Sequence, residues 1–124
     1  DLLKFLKENG LVVALATSKP EVFALRILEH FGLEKYFHVV TGATLDGSLI
    51  KKGDVVAEAL KRLRVTEKSE CIMIGDKSHD IIGAKENGIS SVGVLFGYGS
   101  KAELKEAGAD YICESLEEIK TLLF

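Results

Sequence analysis

Short apolar runs that end at glycine or small polar residues alternate with stretches whose apolar positions recur every three or four residues, and this rhythm predicts strands alternating with helices. Leu2, Leu3 and Leu6 set against Lys4, Lys7 and Glu8 predict a helix over Asp1–Asn9 that Gly10 stops. Leu11–Ala16 reads as a buried strand; Pro20 then suits the first turn of a helix that runs to Phe31 and closes at Gly32. Tyr36–Val40 is a second strand, Gly42–Ile50 a loop of small and turn-forming residues, and Lys52–Leu63 a helix with Val55, Val56, Ala59, Leu60 and Leu63 as its apolar stripe. Cys71–Ile74 is the third strand, of the kind buried on both faces. From Ser78, Ile81, Ile82 and Ala84 fit a helix that Asn87 and Gly88 close. Ser91–Phe96 runs through a Gly97–Ser100 turn into a helix over Lys101–Ala107, and Asp110–Cys113 gives a short fifth strand before a last helix, Leu116–Leu123. Such alternation predicts an α/β fold, a parallel sheet with helices over both faces.

Composition narrows what this fold can do. A chain of 124 residues with 47% apolar content supports one modest domain. Lys and Arg number 16 against 19 acidic residues, a net charge of −3, with no basic stripe to hold a nucleic-acid backbone. No apolar run approaches the roughly 20 residues of a membrane span, and the amphipathic, lysine-bearing start does not resemble a signal sequence. The expectation is a cytoplasmic protein without nucleic-acid or membrane partners. Cys71 and Cys113, each in an apolar strand-like run, are expected to be buried reduced thiols.

Candidate chemistry sits where strands end. Asp76 and Asp80 follow the Cys71–Ile74 run directly, and parallel α/β proteins bind ligands beyond the carboxyl ends of their strands. Magnesium takes oxygen ligands from one or two carboxylates together with substrate phosphate. The same two residues also fit a plain turn residue and a first-turn helix acid. Thr17 and Ser18 place hydroxyls and backbone N–H groups at another strand end, as phosphate sites do, or they simply cap the Pro20 helix. Lys52 opens a helix, where a cation opposes the dipole; beside Lys51 it also reads as a solvated lysine. His79 has exposed neighbours and receives no role.

Order and combination change the weighing. LVVALATSKP, IKKGDVVAEAL and CIMIGDKSHD resemble motifs two, three and four of the haloacid dehalogenase superfamily, and GATLDGSLIKK with SVGVLFGYGSKAELKEAGADYI resembles its phosphoglycolate-phosphatase-like members. The resemblance runs along nearly all of the chain and implies a Rossmann-like three-layer sandwich. It implies that Thr17, with Ser18, holds a phosphate oxygen and that the Lys52 ammonium balances phosphate and nucleophile charge. Asp76 would ligate Mg2+, and Asp80 would orient the metal-bound water or the lysine. The implied substrate is a small phosphorylated molecule, phosphoglycolate or a nucleoside monophosphate.

One motif of the family does not occur. DxDGT, which supplies the nucleophilic aspartate and the general acid and base, lies upstream of the other three in the family, as does the helical cap. Thr44–Ser48, TLDGS, has threonine at the nucleophile position and follows motif two, so it is an accidental look-alike. The expectation is therefore the C-terminal part of a core domain, inactive alone, whose Leu11–Ala16 and Cys71–Ile74 strands need a strand between them. Either another segment or a second chain supplies it, or Val13 and Ile72 become direct neighbours. Two other classes stay open: a non-catalytic phosphate-binding or partner-binding domain, and a receiver-like domain phosphorylated on Asp76. The acidic cluster such receivers carry after their first strand is not visible.

Overall fold

The computed structural model describes residues 2–47, 51–95 and 99–123, which form two compact units, 1–65 and 66–124. The N-terminal unit contains α1 (Leu2–Glu8), β1 (Ala14–Pro20), α2 (Glu21–His30), a 3₁₀ turn (Glu34–Tyr36), β2 (Val39–Ala43) and α3 (Lys52–Arg62). The C-terminal unit contains β3 (Ile72–Gly75), α4 (Ser78–Glu86), β4 (Ser90–Val94), α5 (Lys101–Ala107), β5 (Tyr111–Cys113) and α6 (Leu116–Leu123).

Among the described residues every ladder is parallel, with a helix in each crossover between paired neighbours: β1 pairs with β2 in one unit, and β3, β4 and β5 pair in that order in the other. Helices α2 and α3 pack on β1 and β2, and α4 packs on β3 and β4. Val55, Val56, Ala59, Ala24 and Leu28 are buried in the first unit, Ile81, Val92, Leu104 and Ile119 in the second. A side chain as fully buried as Ile81, Leu104 or Ile119 contributes about 1.5–3 kcal/mol, so these three dominate the second core. Ser91 and Asp110 tie the start of β4 to the approach to β5: the Ser91 N–H donates to Asp110 Oδ2 at 2.9 Å and the Asp110 N–H donates back to Ser91 Oγ at 3.3 Å.

Several expected boundaries move, each for a local reason. The β1 ladder starts at Ala14 rather than Leu11 because the 3₁₀ turn keeps Tyr36 out of β2; only the His38 N–H, donating to the Val13 carbonyl at 2.7 Å, precedes it. Gly42 and Ala43, expected in a loop, extend β2 instead. A side chain on Gly42 would come within 2.6 Å of the Glu21 Cα, so only glycine lets β2 pass beneath the start of α2. Pro20 ends β1 and sits one position before α2, not inside its first turn, which suits a residue with no N–H to give a ladder. Phe31 and Leu63 are C-caps beyond their helices. The two most apolar runs are also less buried than expected: Leu11 and Val12 are exposed and Cys71–Gly75 half-buried. Their ladders explain this, since β1 has β2 and β3 has β4 as its one paired neighbour among the described residues, which makes both edge strands of their ladders. Ile82, placed on the apolar stripe of α4, faces solvent. Ser48–Ile50 of the expected loop and Phe96–Tyr98 of the fourth strand and turn lie outside the described residues.

Candidate functional site

In the N-terminal unit, Thr17, Ser18 and Lys19 do not follow β1 but interrupt it. Ala16 pairs with Thr41 and Pro20 with Ala43, so four steps along β1 match two along β2, and the three residues between bulge out of the ladder. Bulges re-aim side chains and recur beside active sites. Thr17 Oγ1 accepts the Lys19 N–H at 3.2 Å, which closes the bulge on itself. Neither hydroxyl caps α2, whose N-cap is Pro20 without a side-chain bond, so the plain capping role is not what these residues perform.

Lys52 reaches this bulge. It is the first residue of α3, and its Nζ donates to the Ala16 carbonyl at 2.7 Å, so the ammonium is fixed one residue before Thr17 and is not a freely solvated partner of Lys51. The far end of α3 is anchored too. Arg62 Nη1 donates to Glu21 Oε1 at 2.8 Å and to the Val40 carbonyl at 3.0 Å, while its Nε donates to Glu58. Glu21 also accepts the Gly42 N–H, and its carboxylate pushes the Arg62 pKa up. Sequence reasoning missed Thr41, whose Oγ1 is buried and has no hydrogen-bond partner among the described residues.

In the C-terminal unit, Asp76 and Asp80 flank the bend between β3 and α4, but their environments differ. Asp76 is half-buried just past Gly75, whereas Asp80 is only 5% exposed, its Oδ2 accepting the Lys77 N–H at 3.3 Å. Asp80 thus holds the N-terminal turn of α4, as a third-position helix acid does in a capping box. Gly75 makes room for it: a Cβ there would overlap the Asp80 side chain.

A residue that sequence reasoning missed joins this half. Glu103 of α5 accepts the Ser78 N–H on Oε2 at 2.7 Å, and its Oε1 lies 3.7 Å from the Lys77 ammonium. The Ser78 bond, helped by the Lys77 charge and opposed by desolvation, holds its carboxyl below the usual glutamate range. Nearby, Gly99 sits so close to the Asp76 carbonyl oxygen that a Cβ would overlap it. His79 is exposed, and Thr44–Gly47 is an exposed turn closed by the Gly47 N–H on the Thr44 carbonyl.

The donor set suits a hard cation only in part. Asp76 is a half-buried carboxylate and Asp80 a buried one that accepts a backbone N–H, and no group of three His, Cys, Asp or Glu residues gathers among the described residues. Magnesium needs no such group, because water and substrate phosphate fill most of its positions.

A family profile described as haloacid dehalogenase-like hydrolase matches residues 1–94. The chain is 35% identical over 123 residues to a 5′-nucleotidase of Pseudomonas aeruginosa, covering 99% of this chain and 55% of that protein. It is 49% identical over 98 residues to the tyrosine-protein kinase PtkA of Mycobacterium tuberculosis, 79% of this chain and 33% of that one. A phosphoglycolate phosphatase of Vibrio parahaemolyticus is 35% identical over 120 residues, 96% of this chain and 52% of the relative. Among solved structures, that of a predicted phosphatase from Clostridium acetobutylicum superposes with a TM-score of 0.94 at 47% identity, over 98% of this chain and 56% of that one. The chain spans about half the length of the 5′-nucleotidase and phosphoglycolate phosphatase and a third of PtkA.

Proposed function

Because the chain belongs to the haloacid dehalogenase-like hydrolases, we propose that it is the C-terminal part of the core domain of a magnesium-dependent phosphomonoesterase. In the natural protein a carboxylate outside this sequence attacks phosphorus, displaces the alcohol and forms an aspartyl-phosphate that water then hydrolyses. The single observation that carries this reading is the Lys52 ammonium held at Ala16, beside a bulge that presents Thr17 and Ser18. A hydroxyl, loop N–H groups and a fixed cation are what a phosphoryl group needs.

Each residue has a role matched to its chemistry. Thr17 and Ser18 bind phosphate oxygens, and Lys52 offsets charge on the phosphoryl group and on the attacking carboxylate. Asp76 ligates magnesium, which when bound neutralises charge on the transferring group. Asp80 acts through the Lys77 N–H that it accepts, orienting the bend that bears Asp76. The substrate is a small phosphate ester, phosphoglycolate or a nucleoside monophosphate, in keeping with the named relatives. The open edges of β1 and β3 take a strand from another segment or a second chain, because unpaired backbone groups cost about 1–3 kcal/mol each when buried. A cytoplasmic location belongs to the same proposal and rests on two free thiols; no described helix is long and apolar enough to cross a membrane.

The test is hydrolysis of p-nitrophenyl phosphate with magnesium. The 124-residue chain should be no faster than buffer, since removing a nucleophile costs on the order of 10⁶ in turnover. The intact natural polypeptide should turn over, and Asp76→Asn should abolish it. Turnover by the pure 124-residue chain, lost on Asp76→Asn, would overturn the assignment of the nucleophile to another segment.

A second reading has one observation in its favour, the identity to PtkA. There the acceptor of the phosphoryl group would be a tyrosine hydroxyl, and transfer from ATP to a tyrosine-containing protein, with no hydrolysis of small esters, would select it. A non-catalytic phosphate-binding role would show as magnesium-independent phosphate binding by the intact polypeptide without turnover.

A further inference from the structure

Asp76 and Lys77 are the two residues between β3 and α4, so the position of the Asp76 carboxylate depends on what fixes a two-residue bend. One restraint comes from within α4, where Asp80 holds the Lys77 N–H. Another comes from the start of α5. Gly99 lies against the Asp76 carbonyl, and Glu103 holds both the Ser78 N–H, at 2.7 Å, and the Lys77 ammonium, at 3.7 Å.

The sequence around Glu103 makes this unexpected. Ser100-Lys101-Ala102-Glu103 has the spacing of a capping box, in which serine accepts from the third helical residue and that residue's acid folds back on its own helix. The serine half forms, with the Glu103 N–H donating to Ser100 Oγ at 3.1 Å. The carboxylate, however, turns to α4. Docking of α5 does not require this, because Leu104 is fully buried and packs over Gly93, where even a methyl group would come within 2.9 Å of it. The hydrogen bond to Ser78 is therefore available for another task.

We propose that Glu103 is a positioning residue for Asp76: through the Ser78 N–H and Lys77 it holds the β3–α4 bend in the conformation that presents the Asp76 carboxylate to a divalent cation, without touching that cation. The inference rests on Asp76 being the magnesium ligand, as proposed above. Groups that orient a metal ligand typically change affinity by about 10- to 100-fold when removed.

The experiment is calorimetric titration of Mg2+ into the intact natural polypeptide and its Asp76→Asn, Glu103→Ala, Glu103→Gln and Glu103→Asp variants, each with a thermal melt. Glu103→Ala should weaken Mg2+ by about tenfold or more while remaining folded at the temperature of the titration. Glu103→Gln keeps an oxygen for the Ser78 N–H and should restore most of the affinity, which a general loss of packing or of charge would not do. Should Glu103→Ala fail to fold, Glu103→Asp decides: one methylene shorter, it should bind Mg2+ more weakly while its melt shows that it is fully folded at the temperature of the titration. If Asp76→Asn leaves Mg2+ affinity unaltered, the reading of Asp76 itself fails. If Asp76→Asn loses Mg2+ but the folded Glu103 variants bind as wild type, or if Gln is no better than Ala, the positioning role is overturned and the ligand assignment stands.

Discussion

The Asp80 carboxyl group occupies the space that a side chain on Gly75 would need, so the last residue of β3 and the first turn of α4 are fitted to each other at the level of single atoms. The space is not available by rotation. Asp80 is buried and holds the Lys77 N–H, so moving it gives up that bond.

Gly75→Ala should therefore lower stability by about 1–3 kcal/mol, the usual range for overpacking a well-filled site. A urea melt measures it. A variant as stable as wild type would mean that the Asp80 side chain has a second place to go.

Thr41 makes the opposite case. Its hydroxyl is buried without a partner among the described residues, and an unmet buried hydroxyl costs about 1–3 kcal/mol. Thr41→Val keeps the branched shape on β2 and removes the polar atom, so the variant should be as stable as wild type or more so by about 1 kcal/mol. Destabilisation on the same urea scale would show that the oxygen has a bonded role, beside a bulge where a phosphate ligand is proposed.

What could be read from the sequence follows from the range of the interactions involved. Helices α4, α5 and α6 begin and end as their stop signals and apolar spacing predict, because capping and periodicity are encoded within a few residues. Strand bounds were less legible. The bulge at Thr17–Lys19 depends on which β2 residues Ala16 and Pro20 meet, and that register is not written in β1. The pairing of Lys52 with Ala16 is a contact between distant positions, so the sequence could nominate the lysine but not its partner. Glu103 was hidden for a different reason. Its S-x-x-E spacing satisfies a local pattern, and a local pattern gives no hint that the carboxylate crosses to another helix.

The two thiols should react at different rates. Burial pushes both pKa values up, with Glu70 adding to it at Cys71 and Glu118 at Cys113, so little thiolate forms near neutral pH. Cys113 is buried in β5, whereas Cys71 is half-exposed. With a disulfide reagent under native conditions, Cys71 should be modified first and Cys113 at a rate set by unfolding; equal rates would contradict this burial.

Acid should act through Glu103. A carboxylate whose folded pKa is depressed contributes stability that is present above its unfolded pKa and is lost as pH falls through the lower, folded value. Melting temperature should thus fall with acidification from about pH 5 downward, and Glu103→Gln should flatten that part of the profile. Overlapping curves would show that the Ser78 bond contributes nothing to the pH dependence.

Lys52 allows a structural tether and a functional cation to be told apart. As a tether, its ammonium makes a charge-assisted bond to the Ala16 carbonyl, and such a bond is worth about 1.5–3 kcal/mol at most. Lys52 is only half-buried, so water can replace the bond, and the loss in Lys52→Ala should be nearer about 1 kcal/mol. As a cation facing a transferring phosphoryl group its worth is different, because a fixed charge aimed where charge develops typically contributes on the order of 10²–10³ in turnover. Lys52→Ala in the intact natural polypeptide should therefore lose at least that factor in kcat while remaining folded. Lys52→Arg should not restore it: the planar guanidinium spreads its charge and presents a fork where Ala16 accepts a point donor. The outcome that counts against the site is a variant whose lost activity is matched by its lost fraction of folded protein, since the lysine would then serve α3 and β1 and nothing else.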